Sequence, residues 1–113
     1  MRPLTITVRD AVTGPVLEIT GDLDYETAPE LRRTVDSLTL TAGQLLVLDL
    51  ADLAFCDSSG ISALISARSQ AVEHGARIAL ATVPAHTARI LRIVGLDQVF
   101  AIHANVATAT AGS

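Results

Sequence analysis

"LLVLDLADLAFCDSSGISALI", residues 45–65, decides how this chain is read. Taken from Gln44, "QLLVLDL" is apolar at nearly every position, the pattern of a strand buried on both faces. The end of the stretch starts a helix. From Ser58 to His74, the residues Ile61, Leu64, Ile65, Arg68, Ala71 and Val72 fall on or beside one helical stripe. Gly75 stands where a left-handed C-cap belongs. Between strand and helix lies the polar turn Asp57-Ser58-Ser59-Gly60, in a chain that is 50% hydrophobic.

Upstream, "LTITVRD" and "VLEIT" alternate around Gly14-Pro15, which predicts a leading hairpin turning at that pair. "GDLD" reads as a polar loop, and Thr27 as the N-cap of a first helix. That helix carries Ala28, Leu31, Val35 and Leu38 on one stripe and tolerates Pro29 in its first turn. Downstream come a buried strand, "ARIALAT", a short helix from Pro84 to Gly95, and a last short strand, "QVFAIH". The order β-β-α-β-α-β-α-β predicts an α/β fold: one domain over residues 1–103, its mixed sheet mainly parallel with a leading antiparallel strand and helices packed on it. Residues 104–113, "ANVATATAGS", form an Ala/Thr-rich tail that reads equally as frayed helix or disorder. Parallel pairing of "VLEIT" with "QLLVLDL" makes "GDLD" a neighbour of the serine turn, so Asp22 and Asp24 are expected to face it.

Composition narrows the chemistry. A length of 113 residues is enough to bury a core, and with three aromatics that core must be aliphatic. The formal net charge of −4 argues against direct nucleic-acid binding. All eight basic residues are Arg. The lone Cys56 allows no internal disulfide and is expected to pack against the second helix. His74, His86 and His103 are too scattered for a metal site, and none is expected. Neither a signal-peptide pattern nor an apolar run long enough to cross a bilayer is present, so a cytoplasmic domain without membrane association is expected. Arg68 is expected to snorkel or to lie at a partner surface, and Arg89 and Arg92 to sit on the solvated side of their helix.

Four readings of "DSSG" compete. Asp and Ser are preferred N-caps and Gly60 eases a turn, so a purely structural cap is the plainest; no Glu or Gln three residues beyond either serine completes a capping box. A nucleophile elbow is suggested by "CDSSG" followed by Asp97 and His103, but the chain is short for such hydrolases and His103 stands beside the tail. A phosphate-accepting aspartate at Asp49 or Asp52 would need a lysine, and the chain has none. The fourth reading is a regulatory phosphoserine, for which a helix start is accessible and tolerant of negative charge. Local physics does not choose between Ser58 and Ser59.

"GDLDYETAPELRR", "LVLDLADLAFCDSSGISALI" and "ARIALATVPAHTARILRIVGLDQVF" together resemble the STAS domain of bacterial anti-sigma factor antagonists, from about Val16 to Phe100. The resemblance implies that Ser58, directly after the motif aspartate, is phosphorylated. It implies a partner surface drawn from Asp22, Asp24, Asp57, Ser59, Gly60 and Ile61. The implied partners are an anti-sigma factor that is also a GHKL-type serine kinase, and a PP2C-type phosphatase. Unphosphorylated antagonist binds the anti-sigma factor and frees the sigma factor; phosphorylation releases it. The domain itself is then a binding module and not an enzyme, without a cofactor of its own, since ATP and magnesium belong to the kinase. The competing expectation is a constitutive STAS subunit of a transport or signalling complex, with "DSSG" serving only as a cap.

Overall fold

Alternating and continuous apolar runs fold into one mixed sheet with helices on both faces. The computed structural model describes residues 2–111. Its elements are β1 (Thr5–Ala11), β2 (Gly14–Leu23), α1 (Ala28–Ser37), β3 (Leu45–Asp49), β4 (Leu53–Cys56), α2 (Ser58–Glu73), β5 (Arg77–Ala81), α3 (Ala85–Ile93), a 3-10 turn (Leu96–Gln98), β6 (Ala101–His103) and α4 (Val106–Thr110). The strands lie in the order β1-β2-β3-β5-β6, with β4 paired to β2. The β1–β2 pair is antiparallel, and the other pairs are parallel.

Two loops expected from the sequence are strand instead. Gly14 and Pro15 lie within β2, opposite Ala11 and Asp10, and the chain turns at Val12-Thr13. Gly14 is needed there for a reason other than turning: its φ is 146°, and a Cβ would collide with the Leu45 carbonyl oxygen. Pro15 is tolerated near the strand start, where its missing N–H costs little. Gly21, Asp22 and Leu23, read as a loop, extend β2 to ten residues. They do so because β4 pairs with them: β3 accompanies β2 as far as Glu18, and β4 takes up the same strand from Gly21. β4 itself escapes the sequence reading, being four residues long with Leu53 and Cys56 buried and Ala54 and Phe55 exposed, a pattern without alternation.

The two faces of the sheet carry different layers. Leu17, Ile19, Leu46, Leu48, Ile78 and Leu80 point into one core with α1, α2 and α3, whose Leu31, Leu64 and Leu91 are fully buried. The intervening residues Val16, Leu45, Val47, Ala79 and Ala81 meet Ala109 of α4 on the other face. α2 sits on the first core through Gly60, Ile61, Ala63, Leu64, Ala67 and Ala71, while Ile65 and Val72 of the expected stripe are exposed. The small residues let the helix lie close to the sheet and so displace the larger ones from the contact. Gly75 takes φ 72° and ends α2 as a left-handed cap. In the tail, Asn105 caps α4 by accepting from the Thr108 N–H at 2.8 Å; residues 112–113 lie outside the described residues.

Candidate functional site

The serine turn is held by the strand pair beneath it. Register places Asp22 beside Phe55 and Leu23 beside Cys56, and the Asp57 N–H donates to the Leu23 carbonyl at 3.3 Å. "GDLD" and "DSSG" are therefore neighbours at the carboxyl edge of the sheet. Asp57 has extended backbone, and its carboxylate accepts from the Gly60 N–H at 3.0 Å. The cap of α2 is thus Asp57, which leaves both serine hydroxyls without a capping role. The two serines differ in exposure: Ser58 is exposed, whereas Ser59 is half-buried.

Gly60 and Ile61 lie under this surface instead of on it. A Cβ at Gly60 would collide with the Leu23 carbonyl oxygen and with Cys56 Sγ, so only glycine lets the first turn of α2 approach β2 and β4. Cys56 packs there as expected, 1% exposed. Burial, reinforced by the neighbouring Asp57 carboxylate, pushes its thiol up to about 12, which keeps it protonated and unreactive at neutral pH.

The flanking aspartates serve the backbone. Asp24 is 8% exposed, and its Oδ1 accepts from the N–H groups of Glu26 (3.0 Å) and Thr27 (3.1 Å). Thr27 occupies the cap position of α1 without capping through its side chain. Its hydroxyl accepts from the Asp24 N–H at 2.9 Å and donates to the Asp22 carbonyl at 2.8 Å, bracing the turn that Asp24 organises. Asp22 is half-buried, and its Oδ2 accepts from the Arg2 N–H at 3.0 Å. Asp49 likewise accepts from the Ala51 N–H at 3.1 Å. Among the described residues, no group of three or more His, Cys, Asp or Glu side chains is placed to hold a metal ion. No helix among them is long and apolar enough to cross a membrane.

Sequence reasoning missed two residues at this edge, Tyr25 (80% exposed) and Phe55 (46% exposed). The available signal was scarcity: in a chain with three aromatics, the positions of two beside one polar turn carry information.

Comparison with known proteins agrees with this architecture. The profile of the family described as "Mlab, STAS domain" matches residues 6–103. The chain belongs to the STAS domain family. This STAS chain is 27% identical over 109 residues to the anti-sigma-F factor antagonist RsfB of Mycobacterium tuberculosis, covering 96% of this chain and 88% of that one. Its fold is similar to the crystal structure of an anti-sigma factor antagonist from Mycobacterium paratuberculosis, with a TM-score of 0.82 at 22% identity over 96% of this chain and 95% of the other. It is also similar to the structure of the anti-sigma factor antagonist SpoIIAA in its unphosphorylated form, with a TM-score of 0.75 at 16% identity, covering 93% and 92% of the two chains. The resemblance noted in the sequence therefore holds, as does the mixed α/β architecture expected from it.

Proposed function

We propose that this STAS domain is an anti-sigma factor antagonist whose binding to an anti-sigma factor is switched by phosphorylation of Ser58. The single observation that carries the reading is the division of labour at the start of α2: Asp57 caps the helix, so the exposed Ser58 hydroxyl is free for other chemistry. The names of the relatives support the antagonist role. ATP is the phosphoryl donor, a GHKL-type serine kinase that is also the anti-sigma factor transfers the group and releases ADP, and a PP2C-type phosphatase restores the serine by hydrolysis to inorganic phosphate.

The physical basis of the switch is asymmetric. A phosphoryl group adds roughly −1.5 to −2 charge at neutral pH. On Ser58 that charge meets the N–H groups and positive dipole end of α2, which favour it. The fold therefore tolerates phosphorylation. A partner seated over the same edge must instead desolvate the phosphate next to the Asp57 carboxylate, a cost that unphosphorylated Ser58 does not impose. Ser58, Ser59, Asp57 and Asp22 form the surface of the site, Tyr25 and Phe55 add apolar area around it, and Asp24, Gly60 and Ile61 hold it in place from below.

Intact-mass and site-mapping spectrometry with ATP and candidate kinases from the same organism tests the substrate relationship. One phosphoryl group on Ser58, absent in Ser58→Ala, is expected. In binding assays Ser58→Ala should retain the kinase, and Ser58→Asp should bind at least about tenfold more weakly. Equal affinity of the two variants would overturn the charge switch.

A further inference from the structure

A second site lies away from the serine edge. A cavity of about 380 Å³ opens where β5 outruns β6, since β6 pairs only with Ala79–Ala81 and leaves Arg77 and Ile78 without a strand neighbour on that side. The C-terminal half of α2 supplies Arg68 and Val72 to its wall, β5 supplies Arg77, and β6 supplies His103. α4 closes part of the opening. From its lining we propose that this cavity binds a small amphipathic organic acid, with its carboxylate or sulfonate against Arg68 and Arg77 and its hydrocarbon body against the apolar wall.

Three features point to such a ligand. The first is charge segregation. The chain has 12 acidic and 8 basic residues, yet no Asp or Glu is among the described residues lining this cavity. Arg9–Glu18 is the one ion pair among all the described residues, so neither Arg68 nor Arg77 has a carboxylate among them within ion-pair distance. The second is an unpartnered polar atom: Thr13, on the cavity wall, has a buried Oγ1 with no hydrogen-bond partner. A buried hydroxyl without a partner is costly, and a rotation of the Thr13 side chain toward the cavity would bring it to a ligand oxygen. The third is the mixed character of the wall, to which Val72 and Val99 contribute as well as Arg68 and Arg77. The volume falls in the range of small-molecule sites.

The apolar wall decides the class. A bare inorganic anion at partly hydrated arginines gains little, because water and salt screen the pair. An apolar body displaces water from the wall, adds its own burial, and lowers the local dielectric around the headgroup. Guanidinium groups match a flat carboxylate through paired N–H donors. The site rests on residues remote from Ser58 and does not depend on the proposed phosphoswitch.

The test is an amide NMR titration of the full chain with sodium octanoate, using 1-octanol and inorganic phosphate as controls. Octanoate should give saturable shifts at Thr13 and Arg77 with a Kd of about 1 mM or tighter. Arg68→Gln and Arg77→Gln should each weaken it about tenfold, with well-dispersed spectra showing that the variants are folded. Octanol, with the same body and no charge, should bind at least about tenfold more weakly. Absence of saturable shifts at millimolar octanoate, shifts mapping elsewhere, or unchanged affinity in both arginine variants would overturn the proposal. Equal binding of octanol would remove the anion from it, and tight phosphate binding would reduce it to a simple anion site.

Discussion

On one face of the sheet Leu46, Leu48 and Leu80 lie beneath three helices; on the other, Val47, Ala79 and Ala81 lie beneath the five residues of α4. The first face fixes α2, and through α2 and β4 it fixes the serine turn. The second is thinly covered, and the cavity opens at its margin beside β5 and β6, where residues of both α2 and α4 reach the wall. One end of α2 is thus tightly packed in support of the candidate phosphosite, while its other end borders an opening with room for a small molecule.

Neighbouring residues on β3 test that contrast most directly. Leu48 and Val47 are both 0% exposed but point to opposite faces. Leu48→Ala should cost about 3 to 4 kcal/mol in urea unfolding, because the surrounding helices cannot collapse into the void. Val47→Ala should cost only about 1.5 kcal/mol, since it removes less volume and α4 is free to settle. Equal losses would mean that the outer face is packed as firmly as the inner one. Gly60→Ala falls between them, at about 2 to 3 kcal/mol, because the colliding Leu23 oxygen belongs to a paired strand and cannot move cheaply. A stability unchanged in Gly60→Ala would show that the first turn of α2 is not held against β2.

Alkaline titration gives the smallest effect when read over a single pH unit. Below pH 9, the ordinary value for this thiol, Cys56 is protonated in both folded and unfolded chains and contributes no pH dependence. Between pH 9 and about 12 the unfolded thiol ionises while the buried one stays protonated. Stability therefore falls as pH rises through that window, by at most about 1.4 kcal/mol per pH unit. The difference in slope between the parent chain and Cys56→Ala isolates this contribution. Identical slopes would mean that the thiol is not desolvated beneath α2.

Much of this was legible in the residues themselves. The continuous apolar runs at 45–48 and 78–81 became central strands, and Gly75 and Gly95 end helical segments with positive φ as their positions suggested. What escaped was set by partners distant in sequence. Gly14-Pro15 looks like a turn until the approach of Leu45 gives the glycine another purpose. "GDLD" looks like a loop until β4 pairs with it, and β4 is too short and irregular to announce itself. Reading α2 by its bulky residues overvalued Ile65 and Val72, because Gly60, Ala63 and Ala67 make the contact that brings the helix close. At the site, "DSSG" gave the cap and the serines together; the assignment of the cap to Asp57, and the difference in exposure between Ser58 and Ser59, required the fold.

The position of Tyr25 has an experimental consequence. The chain has one tyrosine and no tryptophan, and this ring lies just beyond Leu23, whose carbonyl receives the Asp57 N–H. A ring isotope label introduced through tyrosine therefore marks a single place in the molecule, the exposed margin of the serine edge. The scarcity of aromatics that makes the core aliphatic also equips the protein with a built-in reporter of what docks there.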